Sequence, residues 1–428
     1  MICQSLSYAE VGPGRLPWLD TLLKGLVALL LLGTVNVLFL VPDGDRYLFK
    51  LMALTALVGL ARRAVQRDWT LQVGRRFIFP LTAYALVLFF SNLFLSGFGA
   101  TVKTYLVGTL LLYAIAPLRL RGQWLSLLLI FGGIEFFAFA CYQVISLGVG
   151  RFHGYTHPIF MGIFCMTSAA MALFLSRRME GMLKPGLWLA TLTFFLAALL
   201  SSTRGVVIAI PFILLMFTWL CWKEGQVKVS LLPWVMAIVI TPFFNPAMLN
   251  SAIHSESMIG KMGTALNEAQ AATEDEKYAT SIGFRLMMWQ FCIYAFEQSP
   301  IYGLGRDGVE KAKQEYVDQG LAPETLLTMV PKAHAHNQYF QELAQRGLIG
   351  LAALLLVFSF SVREAWERIQ AQRWSGFALA MLIGAFMIYC LTEVALKHPI
   401  KVDVFLIFGW FLHQYHDDES PLLKGSAS

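Results

Sequence analysis

Charged side chains are scarce in this 428-residue chain, where Asp, Glu, Lys and Arg together make up only 14% of the residues. A soluble globular protein carries about a quarter charged residues. The hydrophobic share is 57%, and apolar residues run in long blocks such as 22–41. A block of that length matches the ~20 residues that a helix needs to cross a ~30 Å hydrocarbon core. The composition therefore excludes a soluble protein and predicts an all-α polytopic membrane protein.

Cysteine is also sparse, and its placement argues against a structural disulfide or a zinc site. Four of the six cysteines lie inside apolar blocks, and none shows the spacing of metal ligands. The N-terminal segment lacks a charged region followed by a short apolar core and a small-residue cleavage site. We therefore expect the first apolar block to be a retained span and not a signal peptide.

The apolar blocks predict about twelve transmembrane helices in one integrated domain. The predicted spans are 22–41, 47–65, 77–96, 100–117, 124–147, 156–175, 187–201, 204–222, 230–249, 336–361, 375–396 and 402–416. The first nine lie in 1–249, and the last three lie with a short tail in 336–428. The intervening region, 250–335, is polar but contains apolar positions at helical spacing, which predicts several helices on or near the membrane surface.

Lysine and arginine are distributed unevenly between alternate loops. Every second short loop holds fifteen of these residues in total, whereas the alternate short loops hold six. The richer side is expected to be cytoplasmic. Both termini then lie in the cytoplasm, and 250–335 lies in the periplasm. The net charge of +6 is thus a topology signal, and we expect membrane lipids, not nucleic acid, around the basic residues.

The strongest local motif is His336-Asn337, followed after nine residues by Gly347-Leu348-Ile349-Gly350. If a helix begins near His336, positions 336, 340, 343, 347 and 350 share one helical face. The two glycines would then let a neighbouring helix approach closely. A histidine at the periplasmic end of this helix–helix contact is suited to taking a proton from a sugar hydroxyl. The alternative is an interfacial histidine that caps a helix.

A second histidine, His334, raises the question of a metal site. Residues two apart do not share a helical face, and no Asp, Glu or Cys nearby in the sequence completes a ligand set. The sequence therefore predicts that no metal is bound here.

Several cationic side chains lie at predicted periplasmic span ends, against the topological bias. Arg204, Arg285 and Arg306 are the most conspicuous, and Lys103 and Arg151 lie on the same predicted side. The guanidinium fork matches phosphate oxygens bidentately. Two or three arginines would hold a pyrophosphate and stabilise its charge as it leaves. The alternative for any one of them is snorkelling towards lipid headgroups.

Two carboxylates complete the set of candidate residues. Glu393 lies near the periplasmic end of the eleventh predicted span, where it would orient the base or pair with an arginine. A structural ion pair is the alternative. Glu135 lies near the middle of the fifth span, and a carboxylate at that depth is a functional hypothesis by default. It is the best argument for a transporter, although a carboxyl hydrogen-bonded within the bundle explains it equally.

Three stretches resemble the O-antigen ligase and polymerase superfamily. They are Ser-Thr-Arg-Gly at 202–205, Gly-Phe-Arg-Leu-Met-Met-Trp through Gly-Leu-Gly at 283–305, and His-Asn-x9-Gly-x-x-Gly at 336–350. The last is similar to the pattern of the ligases, whereas the first two are shared more widely. The resemblance implies a lipid-dependent, GT-C-like glycosyltransferase bundle in the bacterial inner membrane.

The resemblance also implies an activity in lipopolysaccharide biosynthesis. An O-antigen glycan on undecaprenyl pyrophosphate would be transferred, with inversion, to a sugar hydroxyl of lipid A–core at the periplasmic face. His336 would be the general base, and Arg204 and Arg285 would bind the pyrophosphate. Asn337, Glu393 and the remaining periplasmic cations would contact substrate. The resemblance implies that the enzyme needs no metal, nucleotide or other cofactor.

Three other functions stay open at the level of sequence. An O-antigen polymerase uses the same donor with a lipid-linked acceptor. A protein O-oligosaccharyltransferase uses a protein acceptor, although its relatives usually carry a longer C-terminal region. A polar-lipid transporter or flippase belongs to a different class, and it would place several ionisable residues along a path inside the bundle, where Glu135 is nearly alone.

Overall fold

The computed structural model describes residues 6–8, 16–37, 40–71, 74–96, 99–243, 281–329 and 334–414. Most of these residues are helical, and we number the helices in chain order. They are α1 Pro17–Leu32, α2 Gly44–Gln66, α3 Arg75–Leu95, α4 Ala100–Ile115, α5 Gly122–Cys141, α6 Pro158–Leu175, α7 Leu183–Leu200, α8 Arg204–Val207, α9 Ile210–Lys223, α10 Leu231–Phe243, α11 Ser281–Gln298, α12 Gly305–Asp318, α13 Thr325–Met329, α14 Gln338–Gln370, α15 Trp374–Thr392 and α16 Pro399–Gln414. Short π-helical turns, Gly33–Val37 and Tyr142–Ser146, extend α1 and α5.

Eight helices in the described ranges are long and apolar enough to cross a membrane. They are α1, α3, α5, α6, α7, the joined pair α8–α9, α14 and α15. This confirms an all-α polytopic membrane protein. Each predicted span overlaps a helix, but α4, α10 and α16 have fewer than eighteen residues, and α2 carries more charge. The count of twelve spans and the GT-C-like arrangement therefore stay predictions.

Large apolar side chains on the outer faces of the helices fit a membrane environment. Leu57 is 69% exposed, Phe79 61% and Phe94 76%. Contiguous apolar surface of this kind is unfavourable in water and is covered by lipid tails in a bilayer. A short antiparallel pair of strands, β1 Leu6–Tyr8 and β2 Leu118–Leu120, is an addition that the sequence patterns did not predict.

Helix α6 lies at the centre of the bundle, since every residue from Met161 to Leu175 is buried. It packs mainly against α7 and also contacts α5 and α15. Near its start, a Cβ at Gly162 would lie 2.6 Å from Ser201 Oγ and 2.7 Å from Thr203 Oγ1. The glycine therefore allows the start of α6 to pack directly against the turn that follows α7.

Helix α14 departs from the predicted span. It begins at Gln338 instead of His336, and it is interrupted at Gly347, where φ is 61° and ψ is −155°. The interruption leaves backbone groups without helical partners, and the loop before α12 supplies them. Leu348 N donates to Pro300 O at 2.8 Å, and Leu304 N donates to Ala344 O at 3.0 Å.

The structure corrects the role assigned to the two glycines of the motif. A Cβ at Gly347 would lie 2.5 Å from the backbone of Ile301, so this glycine admits a loop and not a neighbouring helix. A Cβ at Gly350 would meet Arg346 Cβ at 2.3 Å and Glu342 Oε2 at 3.1 Å, both on its own helix. The single helical face predicted for positions 336–350 is therefore broken at Gly347.

Two further helix ends differ from the predicted spans. The span predicted at 204–222 is divided into α8 and α9. The span predicted at 375–396 ends at Thr392, so the segment 393–398 is not helical although residues 393–396 are buried.

The long polar region between α10 and α14 contains α11, α12 and α13 in its described part, 281–329. The prediction of several helices is thus confirmed there, and their position at a membrane surface stays a prediction. Residues 250–280 lie outside the described residues. Among the described residues the cysteines at 141, 165, 221, 292 and 390 are free.

Candidate active site

A cavity of about 250 Å³ lies where α7 and α15 end and α6 and α8 begin. Three of the sequence-predicted cations and one predicted carboxylate line it. The lining residues are Arg151, Ile159, Ile163, Ser202, Thr203, Arg204, Gly205, Val206, Arg285, Tyr389, Thr392 and Glu393. Residues far apart in the sequence therefore meet at one site.

The turn between α7 and α8 places two of the arginines. Arg151 donates from Nε to Ser201 O at 3.0 Å and from Nη2 to Ser202 O at 3.3 Å. Ser202 has a left-handed backbone, with φ of 51°, which turns these carbonyls towards Arg151. Arg204 follows as the first residue of α8. A Cβ at Gly205 would lie 2.4 Å from Thr392 Oγ1, so only a glycine lets α8 start against the end of α15.

The three arginines of the cavity lack acidic partners. Within the described part of the chain, no carboxylate oxygen lies within 4.0 Å of Arg151, Arg204 or Arg285. Burial, together with the charge of Arg204, lowers the pKa of Arg151. Burial also lowers the pKa of Arg285, where Glu393 opposes and Arg204 adds to the effect. Like charges held together are unfavourable, so an anionic ligand would stabilise this arrangement.

Glu393 connects the cavity to both histidines of the motif. His334 Nε2 lies 2.9 Å from Glu393 Oε1, and His336 Nδ1 lies 3.2 Å from Glu393 Oε2. Burial alone would raise the pKa of Glu393, but hydrogen bonds from the two histidines and the charge of Lys401 hold it well below its usual range. An ionised carboxylate only accepts hydrogen bonds, so the facing nitrogens are assigned as the protonated ones.

This assignment determines which nitrogen of each ring is free. His334 Nδ1 accepts from the backbone N–H of His336 at 3.3 Å, so both of its ring nitrogens are engaged. Burial lowers the pKa of His334, which agrees with a neutral ring. His336 uses Nδ1 towards Glu393, which leaves the lone pair of Nε2 available in the neutral ring. Its side chain is 28% exposed and thus reachable from solvent.

The argument made from sequence against a metal site is wrong in one respect. Glu393 supplies the carboxylate that was missing near His334 and His336, and their ligand atoms all lie within 4.8 Å of one another. The three groups can therefore hold a metal by geometry. In the observed arrangement, however, an ion would have to displace both N–H···O hydrogen bonds to the carboxylate. Those bonds already account for the close approach of the three side chains.

Lys401 is a site residue that sequence reasoning missed. Its ammonium donates to Val394 O at 2.8 Å, lies 4.0 Å from Glu393 Oε1 and sits over the Phe160 ring at 4.6 Å. It therefore compensates the charge of the buried carboxylate. Its place directly before the predicted span 402–416, on the predicted periplasmic side, gave the only signal, because a cation there runs against the charge bias of the loops.

Asn337 has a structural use for both ends of its side chain. Oδ1 accepts from Tyr339 N at 2.9 Å and Phe340 N at 3.2 Å, so Asn337 caps α14. Nδ2 donates to Leu391 O at 3.1 Å, in the last turn of α15. Its predicted contact with substrate stays a prediction.

Three other predicted residues lie away from the cavity. Arg306 is exposed at the start of α12, where its backbone N–H donates to Ser96 Oγ. Lys103 is exposed in the first turn of α4. Glu135 is exposed on α5 and accepts from Asn36 Nδ2 at 3.1 Å. Substrate binding by Arg306 and Lys103 stays a prediction. Glu135 has the hydrogen-bond partner that the structural alternative expected, but its side chain is exposed and not enclosed in the bundle.

Comparison with known proteins bears on residues 189–355, which match a family model described as O-Antigen ligase. This region contains Arg204, Arg285 and His336. A Haemophilus influenzae protein, described as uncharacterized, is 30% identical over 97 residues, which are 23% of this chain and 24% of that protein. The chain thus matches about a quarter of that relative's length. The match over residues 189–355 confirms that this part of the chain resembles the O-antigen ligase family.

Proposed function

We propose that this protein transfers a glycan from undecaprenyl pyrophosphate to a sugar hydroxyl of lipid A–core. His336 is the general base, and it acts through Nε2. Arg204 and Arg285 bind the donor pyrophosphate, with Arg151 beside them. The site faces the periplasm, and the enzyme lies in the inner membrane with both termini in the cytoplasm.

The reaction in this proposal is a single displacement at the anomeric carbon. His336 takes the proton of the acceptor hydroxyl, and the acceptor oxygen forms the new glycosidic bond. The bond from the anomeric carbon to the pyrophosphate oxygen breaks, and undecaprenyl pyrophosphate leaves with the electron pair. Attack opposite to the leaving group inverts the anomeric centre. The arginines neutralise the charge that develops on the leaving oxygen.

The proton and charge balance of the site fits this chemistry without a metal. When His336 gains a proton, Glu393 stabilises the resulting imidazolium through Nδ1 at 3.2 Å. The arginines supply the positive charge that a divalent cation would otherwise bring to a pyrophosphate. We therefore propose a metal-independent enzyme that uses no cofactor.

One observation carries the proposal. Three arginines, none with a carboxylate oxygen within 4.0 Å among the described residues, line the same cavity as Glu393, and this carboxylate holds His336 by a hydrogen bond. Anion binding and a base with one free ring nitrogen are thus adjacent. A polar-lipid transporter has no need for a base–carboxylate pair beside an anion site, so transfer chemistry is favoured over transport.

Deletion of the gene in its own host tests the proposal. Lipopolysaccharide and lipid-linked glycan are both separated on gels. The expected result is bare lipid A–core together with long glycan accumulated on undecaprenyl pyrophosphate. Core carrying a single repeat unit would instead indicate an O-antigen polymerase. Unchanged lipopolysaccharide would refute both and direct the search to protein glycosylation or transport.

A further inference from the structure

Residues 393–396 of the non-helical segment 393–398, which carries Glu393, are buried, so their backbone groups need hydrogen-bond partners inside the protein. Side chains from other elements supply several of the partners of this segment. Tyr105 Oη donates to Leu396 O at 2.9 Å, and Thr101 Oγ1 donates to Lys397 O at 2.6 Å. This segment is therefore held by specific side chains, and the position of Glu393 depends on them.

We infer that Gln338 is a positioning residue, which holds Glu393 at hydrogen-bonding distance from His336. It is buried, with 1% exposure, and Oε1 accepts from Leu396 N at 3.1 Å. Its neighbour Asn337 donates to Leu391 O at 3.1 Å. Two consecutive residues directly after His336 thus bind the chain on both sides of Glu393. The inference rests on the proposed function only for its effect on catalysis.

The orientation of the Gln338 amide is set by a second buried residue, Glu342. Gln338 Nε2 donates to Glu342 Oε1 at 2.7 Å, which turns Oε1 of the glutamine towards Leu396 N–H. Tyr84 Oη donates to the same Glu342 oxygen at 2.8 Å, and Arg346 Nη1 donates to the other at 2.7 Å. Helix α3 and the interrupted turn of α14 therefore fix Glu342, and Glu342 fixes Gln338.

A buried polar network of this kind is stable only if every member keeps its partner. Gln338→Glu removes the amide donor and places two carboxylates side by side. The exchange Gln338→Glu/Glu342→Gln restores the hydrogen bond between positions 338 and 342, while Tyr84 Oη, which donates to Glu342 in the wild type, becomes an acceptor. The amide introduced at position 342 donates to the carboxylate at 338 and to Tyr84 Oη, and its carbonyl accepts from Arg346. The carboxylate at 338 still accepts from Leu396 N–H.

The test compares purified wild type, Gln338→Glu, the exchange variant and Gln370→Glu. Gln370 is an exposed glutamine at the other end of α14, so this control carries the same chemical change away from the segment. Two readouts are taken on the folded fraction. One is hydrogen–deuterium exchange of the peptide that contains Leu396, which needs no activity. The other is glycan transfer to lipid A–core, with kcat and donor KM separated.

We expect Gln338→Glu to speed exchange at 391–398 and to lower kcat by about 10- to 100-fold, since a displacement of ~1 Å has an effect of that order. Donor KM should not change, because the arginines are not touched. The double variant Gln338→Glu/Glu342→Gln should recover slow hydrogen–deuterium exchange and most of kcat. Unaltered hydrogen–deuterium exchange at 391–398 in Gln338→Glu would overturn the inference. A loss of transfer activity that merely follows the amount of folded protein would overturn it as well. If the wild type showed no transfer while hydrogen–deuterium exchange followed the expected pattern, the proposed function would be refuted. The role of Gln338 in positioning the segment 393–398 would still hold.

Discussion

Replacing Glu393 by glutamine is the sharpest test of the proposed base, because the structure determines how the new amide lies. Glu393 Oε1 accepts from Val394 N at 2.9 Å and from His334 Nε2 at 2.9 Å, and it lies 4.0 Å from the Lys401 ammonium. These neighbours all require an oxygen. In Glu393→Gln the nitrogen must therefore take the other position, 3.2 Å from His336 Nδ1.

That nitrogen donates, so His336 can accept it only by moving its proton from Nδ1 to Nε2. Nε2, which takes the acceptor proton in the proposed mechanism, then has no lone pair, and the variant should lack the proposed base although the geometry is preserved. General base catalysis contributes about 10²- to 10⁴-fold to a rate. A loss of this size corresponds to roughly 3–5 kcal/mol of transition-state stabilisation.

The assay measures transfer of glycan from a purified lipid-linked donor to lipid A–core, with kcat and donor KM determined separately. We expect kcat to fall by about 10²- to 10⁴-fold with little change in donor KM. Glu297→Gln is the control, since this glutamate is exposed on α11. If folded Glu393→Gln turned over as fast as this control, the tautomer argument and the role of His336 would both be wrong.

Four further predictions concern the proposed pyrophosphate-binding arginines, the need for a divalent cation, the charge of Lys397 and the backbone at Gly347. Arg204→Ala and Arg285→Ala should each raise donor KM about tenfold or more, the range of a lost charged hydrogen bond. The base assignment fails if these variants abolish transfer while His336→Ala retains it. Transfer should survive chelation of divalent cations, and a loss restored by one metal would favour the three-ligand site. Burial and the charges of Arg346 and Arg306 lower the pKa of Lys397 from 10.5 to about 8. The unfolded chain thus binds more protons between about pH 8 and 10.5, so thermal stability should rise with pH there, and Lys397→Met should flatten that rise. Gly347→Ala should lower the melting temperature, since its backbone conformation costs about 1–3 kcal/mol for other residues.

Hydropathy was sufficient for the helical, polytopic fold and for most helix positions, whereas the orientation inferred from the charge bias stays a prediction. Local motifs singled out His336, Arg204 and Arg285, and their roles also stay predictions. The structure brings Arg204, Arg285 and Arg151 to one cavity, as the pyrophosphate hypothesis requires. It places Arg306 and Lys103 elsewhere, since a cation at a span end carries no information about which way its helix faces.

The partner of His336 illustrates what the sequence could not provide. Glu393 lies 57 residues away, and its approach depends on where α15 ends. An apolar pattern continues through Val394, Ala395 and Leu396, so hydropathy extends the span past the true helix end. Polar side chains on other elements, namely Asn337, Gln338 and Tyr105, hydrogen-bond to the backbone on either side of this helix end. Their contribution becomes visible only when the bundle is assembled.

The interruptions of the helices explain how this end of the bundle can position the side chains of the candidate active site. Regular helices satisfy their own backbone and present only side chains. Here α7 ends in the Ser201–Thr203 turn, α14 starts only after His336, and α15 stops before Glu393. Each break exposes backbone groups that must find distant partners, and Arg151, Asn337 and Gln338 serve this purpose. The same contacts that make irregular backbone tolerable in the bundle therefore fix the relative positions of Glu393, the proposed base His336 and the arginine-lined cavity.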